Sequence, residues 1–178
     1  MHLVLGARGE GNLTSHGRVL VVGFGNSLVA DDGAGPAVVD RLRARQRAAA
    51  LPEGVRVEEG GQDSLRLPAL WSGEPLIWLV DALSRGAPPG TIHRIGHDEL
   101  LAIPQSHAGA HLLSLPESLR WLAVGCPEMG GVRYRLWGIE PARLASGEGL
   151  TPAVALAVAG LALEIERALK AVVTGEEG

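Results

Sequence analysis

Short runs of β-branched and leucine residues alternate along the chain with longer segments whose apolar positions recur at helical spacing. Arg18–Phe24 (RVLVVGF) is an unbroken apolar run closing on phenylalanine after a glycine, the pattern of a parallel strand covered on both faces. The following segment GAGPAVVDRLRARQRAAAL predicts a helix that tolerates Pro36 in its first turn and stops before Pro52. Val55–Glu59 predicts a second strand, Ser64–Trp71 a short helix despite Pro68, and Pro75–Val80 (PLIWLV) a third, wholly apolar strand. A proline-rich turn, GAPPG at 86–90, leads to a strand at Thr91–Ile95. After a loop, Leu112–Val124 reads as helix and Arg133–Ile139 (RYRLWGI) as strand. Thr151 stands as the cap of a last helix with Pro152 in its first turn, and Val154, Val158, Leu161, Ile165 and Leu169 form its apolar stripe.

Strands alternating with helices predict an α/β fold: a single-domain, doubly wound, mostly parallel sheet with helices on both faces, in three layers. The domain is expected over residues 18–172, after a flexible extension at 1–17 and before a disordered tail at 173–178. A length of 178 residues suits one such unit. With 46% hydrophobic and 20% charged residues the composition excludes disorder as the main state. Aromatic residues are few (four Trp, one Tyr, one Phe), so Ala, Val and Leu must build the core around closely packed elements.

Charge changes the picture mainly by exclusion. The 20 acidic and 16 basic residues are interspersed, so nothing marks a nucleic-acid partner. Cys126 is the single cysteine and forms no intrachain disulfide, which suits a reducing cytoplasm. The first residues are broken by Arg8 and Glu10, unlike a signal peptide. The uncharged stretch Gly149–Leu163 is shorter than the ~18–20 residues that span a bilayer, so a cytoplasmic protein without membrane insertion is expected.

Candidate chemistry concentrates after the first and third strands. A strand followed by Gly23-Phe24-Gly25 hints at a dinucleotide turn, but the third glycine of that fingerprint would fall on Leu28, and Asp31 and Asp32 would repel a pyrophosphate. Two adjacent carboxylates suit a cation better, or one of them caps the helix behind them. Asp81 directly follows the third strand, at the edge where open α/β sheets bind ligands. If the first and third strands are neighbours, these acids converge. Of six histidines, His107 and His111 precede a helix and can reach that edge, whereas His93 and His97 lie in or beside a strand. Two carboxylates and one imidazole leave open positions on a divalent ion such as nickel or zinc, and no thiolate completes a structural site.

The blocks GFGNSLVADDGAGPAVVDRL, LIWLVDA with APPGTI, HLLSLPESL, LWGIEP and GLTPAV, in that order, resemble the hydrogenase maturation proteases, which trim the C-terminus of the large subunit of nickel-iron hydrogenases. The resemblance runs from residue 18 to 170. It implies Asp32 and Asp81 as the first two metal ligands and, from the register of His111-Leu112-Leu113-Ser114-Leu115-Pro116-Glu117, His111 as the third. It further implies the precursor of the large subunit as partner, cut shortly after its last nickel-binding cysteine motif. Nickel is expected to arrive with that precursor, leaving the free enzyme without a tightly bound cofactor. Asp31 is a candidate base for the attacking water, and Gly25, Asn26, Gly61 and Gln62 are expected to border the substrate. Where many members carry D-G-G-T this chain has Glu59-Gly60-Gly61-Gln62-Asp63, a departure that bears on which subgroup of substrates it takes. A non-catalytic chaperone that checks the nickel site is the alternative expectation.

Overall fold

The computed structural model describes residues 19–104, 114–147 and 149–175. Five strands form one sheet: β1 (Val19–Phe24), β2 (Val55–Gly61), β3 (Leu76–Ala82), β4 (Ile92–Ile95) and β5 (Arg133–Ile139), in the order β2-β1-β3-β5-β4. The first four in that order run parallel, and β4 lies antiparallel on β5. All six residues of β1 are buried, as its unbroken apolar run requires, whereas β2 at the edge alternates buried and partly open positions.

Alternation along the strands divides the core. Val19, Val21, Trp78, Val80 and Trp137 face one side, under α1 (Ala34–Arg47) and α5 (Pro152–Thr174). Leu20, Val22, Phe24, Ile77, Leu79 and Leu136 face the other, with α3 (His97–Ala102) and α4 (Leu115–Gly125) and with Leu67 of the one-turn α2 (Leu67–Leu70). The three-layer α/β/α architecture expected from the pattern is present. All five stripe residues of α5 are buried.

Four details depart from the expectation. Asp81 is the penultimate residue of β3, hydrogen-bonded in register with Gly138, and not the first residue beyond the strand. The segment 97–102 forms α3, whose six residues are too few to show a helical period. Thr151 occupies the N-cap of α5 without capping it, because its hydroxyl donates to Asp31. The terminal helix runs through Thr174, past the boundary expected at 172, and Gly175 ends it in a left-handed conformation. The extension at 1–17 lies outside the described residues. No helix among those described is long and apolar enough to cross a membrane.

Candidate active site

The switch point of the sheet lies between β1, whose next neighbour is β2, and β3, which leads on to β5. The loops leaving β1 and β3 therefore part from a common crevice. A glycine-lined crossing fixes the first of them: a Cβ on Gly35 at the start of α1 would stand 2.1 Å from the Phe24 carbonyl oxygen, and one on Gly23 2.4 Å from that of Gly35. Gly25 takes φ 127° and lies against the backbone of Asp32. The glycines of this block thus serve close backbone packing between β1 and α1, not a phosphate.

Asp31 and Asp32 sit in a 3-10 turn at Ala30–Gly33, and neither caps α1, whose N-cap is Gly33. Their side chains diverge. Asp32 is partly exposed and accepts the Asn26 amide at 2.8 Å. It lines a cavity of about 170 Å³ together with Asp81, Gly25 and Gln62. Phe24, Ser64, Ser114 and Leu115 complete the described walls. Burial first, and then the charge of Asp32, push the Asp81 carboxyl up to about 7, against the opposing Ala82 amide. A cation bound between them would relieve the unfavourable field at Asp81.

Asp31 corrects the expectation of a water-activating base. It is fully buried, and its carboxylate accepts from the backbone amides of Ala142 (2.8 Å), Arg143 (3.0 Å) and Thr151 (2.7 Å) and from the Thr151 hydroxyl (3.0 Å). Burial raises its pKa, but the Thr151, Arg143 and Ala142 donors outweigh that and leave it below the ordinary carboxylate value. Its lone pairs are spent on the loop framework, and it is not among the walls of the cavity.

Of the residues expected to border substrate, Gly25 and Gln62 reach the cavity. Asn26 instead shapes its own loop, with its side-chain oxygen accepting the Leu28 amide at 3.0 Å. Gly61, at φ 69°, ends β2 and accepts the Gly25 amide at 2.9 Å, tying the second loop to the first. His111 and His107 lie outside the described residues. Among the described residues no three His, Cys, Asp or Glu side chains gather as a metal site, so Asp32 and Asp81 are the pair on hand. His93 is engaged by Glu140 at 2.8 Å, and His97 accepts the Tyr134 amide at 3.1 Å and stacks on its ring.

Sequence reasoning missed Ser64, whose hydroxyl donates to Ser118 at 2.7 Å and joins the wall to α4. It also missed Ser114, which opens α4 with its amide and hydroxyl both donating to Glu117. The Ser-x-x-Glu spacing was the available signal, and it assigns Glu117 to capping. Beyond Asp81 the cavity adjoins a larger one of about 470 Å³ walled by Ala82, Leu83, Ile103, Pro116 and Leu136, which is mainly apolar. A cleft of about 370 Å³ at the opposite, amino edge holds His97, Arg133 and Tyr134, and its Asp98 stands 3.7 Å from Arg133.

Residues 36–168 match the family profile described as hydrogenase maturation protease, HycI. The chain is 35% identical over 159 residues to the hydrogenase expression/formation protein HupD of Rhodobacter capsulatus, covering 86% of this chain and 72% of that one. This chain belongs to the hydrogenase maturation protease family. The hydrogenase 2 maturation protease of Escherichia coli is 29% identical over 138 residues, 77% of this chain and 81% of its own. Among solved structures, the hydrogenase maturating endopeptidase HybD from E. coli superposes with a TM-score of 0.71 at 26% identity, over 86% of this chain and 92% of that one. The HycI protease from Thermococcus kodakarensis shares the fold, with a TM-score of 0.69 at 22% identity over 88% and 95% of the two chains. The maturation protease is accordingly an endopeptidase, and the crevice between β1 and β3 is its candidate active site.

Proposed function

We propose that this maturation protease removes the C-terminal extension of a nickel-iron hydrogenase large-subunit precursor, and that it recognises nickel already seated in that precursor through Asp32, Asp81 and His111. The observation that carries the reading is the pairing of Asp32 and Asp81 in one cavity, with Asp81 held near neutrality by burial and by its neighbour's charge. Such a pair binds a free divalent ion weakly, because two carboxylates leave most positions of the ion unfilled. An ion that arrives held by the precursor's cysteines lacks only the ligands this chain offers. Nickel is then part of the substrate and the free enzyme needs none of its own.

Hydrolysis adds water across the scissile carbonyl, breaks the C–N bond and delivers a proton to the departing amine. Nickel seated in the precursor and met by these ligands would supply Lewis-acid chemistry there, polarising the carbonyl or lowering the pKa of a bound water. The chain's part is orientation: the turn after β1 fixes Asp32 and the end of β3 fixes Asp81, and the apolar cavity beyond Asp81 has room for side chains flanking the cut.

The test digests nickel-loaded and nickel-free precursor side by side with chelator-treated enzyme and follows the mass of the large subunit. Mass loss should occur only with the nickel-loaded form, and Asp32→Asn or Asp81→Asn should abolish it while circular dichroism remains native. Equal rates on the two precursors would remove nickel from the recognition step. Tight binding of the loaded precursor without mass loss would favour the non-cutting, checking role.

A further inference from the structure

Two acids at the carboxyl edge do no chemistry in the reading above, yet both are almost wholly buried. Asp31 is 0% exposed and Glu140, directly after β5, is 4% exposed. Glu140 accepts the Arg85 amide at 2.8 and 3.0 Å, the Gly86 amide at 3.0 Å and the His93 ring at 2.8 Å. Each acid thus joins the connection between β5 and α5, residues 140–151, to another loop. Asp31 binds that connection to the loop carrying Asp32, and Glu140 binds it to the loop that leaves Asp81.

The backbone repeats both ties. Ala30 donates to Gly147 at 2.7 Å and Asp31 to Arg143 at 3.2 Å, while Leu83 donates to Ile139 at 2.9 Å and Gly90 to Glu140 at 2.8 Å. Ala30, just before the two aspartates, is held at φ 33°, a strained conformation for a residue with a side chain. Such strain persists only where surrounding bonds over-determine the loop. A carboxylate suits both places because it accepts on every lone pair, whereas an amide side chain would turn an NH2 toward backbone donors that need an acceptor.

We infer that Asp31 and Glu140 are positioning residues, which use the β5–α5 connection as a common brace to hold the turn that carries Asp32 against the outgoing end of β3, where Asp81 stands, at the spacing that nickel in the precursor requires. The inference rests on the reading of Asp32 and Asp81 as nickel-recognising groups. It assigns specific work to a connection whose described side chains hydrogen-bond neither of them. Loosening either tie lets the Asp32 turn or the exit of β3 shift relative to the other without removing a ligand, so the loss falls on capture of the loaded precursor.

The experiment measures kcat and KM on nickel-loaded precursor for full-length Asp31→Asn, Glu140→Gln and Thr151→Val, with Asp81→Asn in parallel and the folded fraction of each read by circular dichroism. Asp31→Asn and Glu140→Gln should raise KM at least fivefold, with kcat per folded molecule changed less than KM. Thr151→Val removes one donor to Asp31, keeps the carboxylate, and should raise KM about twofold; it carries the test if Asp31→Asn does not fold. KM within experimental error of the parent for the folded variants, with kcat falling only as the folded fraction falls, would reduce both acids to ordinary stabilising groups and overturn the brace. Full activity of Asp81→Asn would instead overturn the reading of the ligands themselves, and the brace with it.

Discussion

Asp81 titrates where the ordinary carboxyl does not. Its pKa of about 7 stands well above the ~3.9 of an unfolded aspartate. Between those two values the folded chain keeps a proton that the unfolded chain releases, so this residue's contribution to stability is present below about pH 4 and is lost as the pH rises to about 7. Asp81→Asn is neutral throughout and should be more stable than the parent at pH 8, by on the order of 2 kcal/mol, with the gap closing near pH 4 in denaturant titrations. Ion capture needs the anion and runs the other way: KM for nickel-loaded precursor should fall between pH 6 and pH 8. A flat KM across that range would show that Asp81 does not meet the ion. For the third ligand, His111→Ala should lose cleavage of the loaded precursor while His107→Ala keeps most of it, and the opposite pattern would move the motif by one helical turn. At this scale the sequence exposes Asp81, because an acid closing an apolar strand has a place at the sheet edge whatever the rest of the chain does, whereas Asp32 is singled out only by the family resemblance. It conceals the division of labour between Asp31 and Asp32, because the donors that claim Asp31 belong to backbone 111 to 120 residues away.

Among the elements, β1 and α1 meet so closely that their glycines are structural requirements. Gly35→Ala would press a methyl group against the carbonyl oxygens of Phe24 and Val80, at 2.1 and 2.7 Å. The expected cost is about 3 kcal/mol, read as a lowered denaturant midpoint, together with lost activity as the Asp32 loop is displaced. An unaltered midpoint would show that α1 can slide outward freely. Strand and helix positions follow from hydrophobic period almost throughout, because parallel strands buried on two faces write unbroken apolar runs. The antiparallel placement of β4 is less visible. Residues 83–91 are too short for a parallel crossover, but they step across the end of β5, a strand that comes later in the chain. Asp81 within β3 and the six-residue α3 escape for a similar reason: the bonds and contacts that define them come from β5.

Across the whole molecule, the layer of α1 and α5 is joined by Glu166, a buried acid that accepts from Arg45 and, at 2.7 Å, from Lys170. The bonds from Arg45 and then Lys170 hold its carboxyl down to about 2. Because that lies below the unfolded value of ~4.3, its stabilisation is present above about pH 4 and is lost as the pH falls toward 2. Glu166→Gln should therefore cost about 1 kcal/mol at pH 7, after allowing for solvent around the half-exposed Arg45, and nothing near pH 2. Equal destabilisation at both pH values would show that shape and not charge joins the helices.

The reach of Asp31 also sets an order in time. Its donors are 111, 112 and 120 residues further along the chain, so during synthesis the Asp31 carboxylate lacks its full set of partners until Thr151 has been made. The β1–β2 and β1–β3 pairs can form well before then, since all three strands lie within the first 82 residues. A growing chain thus can pair its first three strands early, while the partners that complete Asp31 come late.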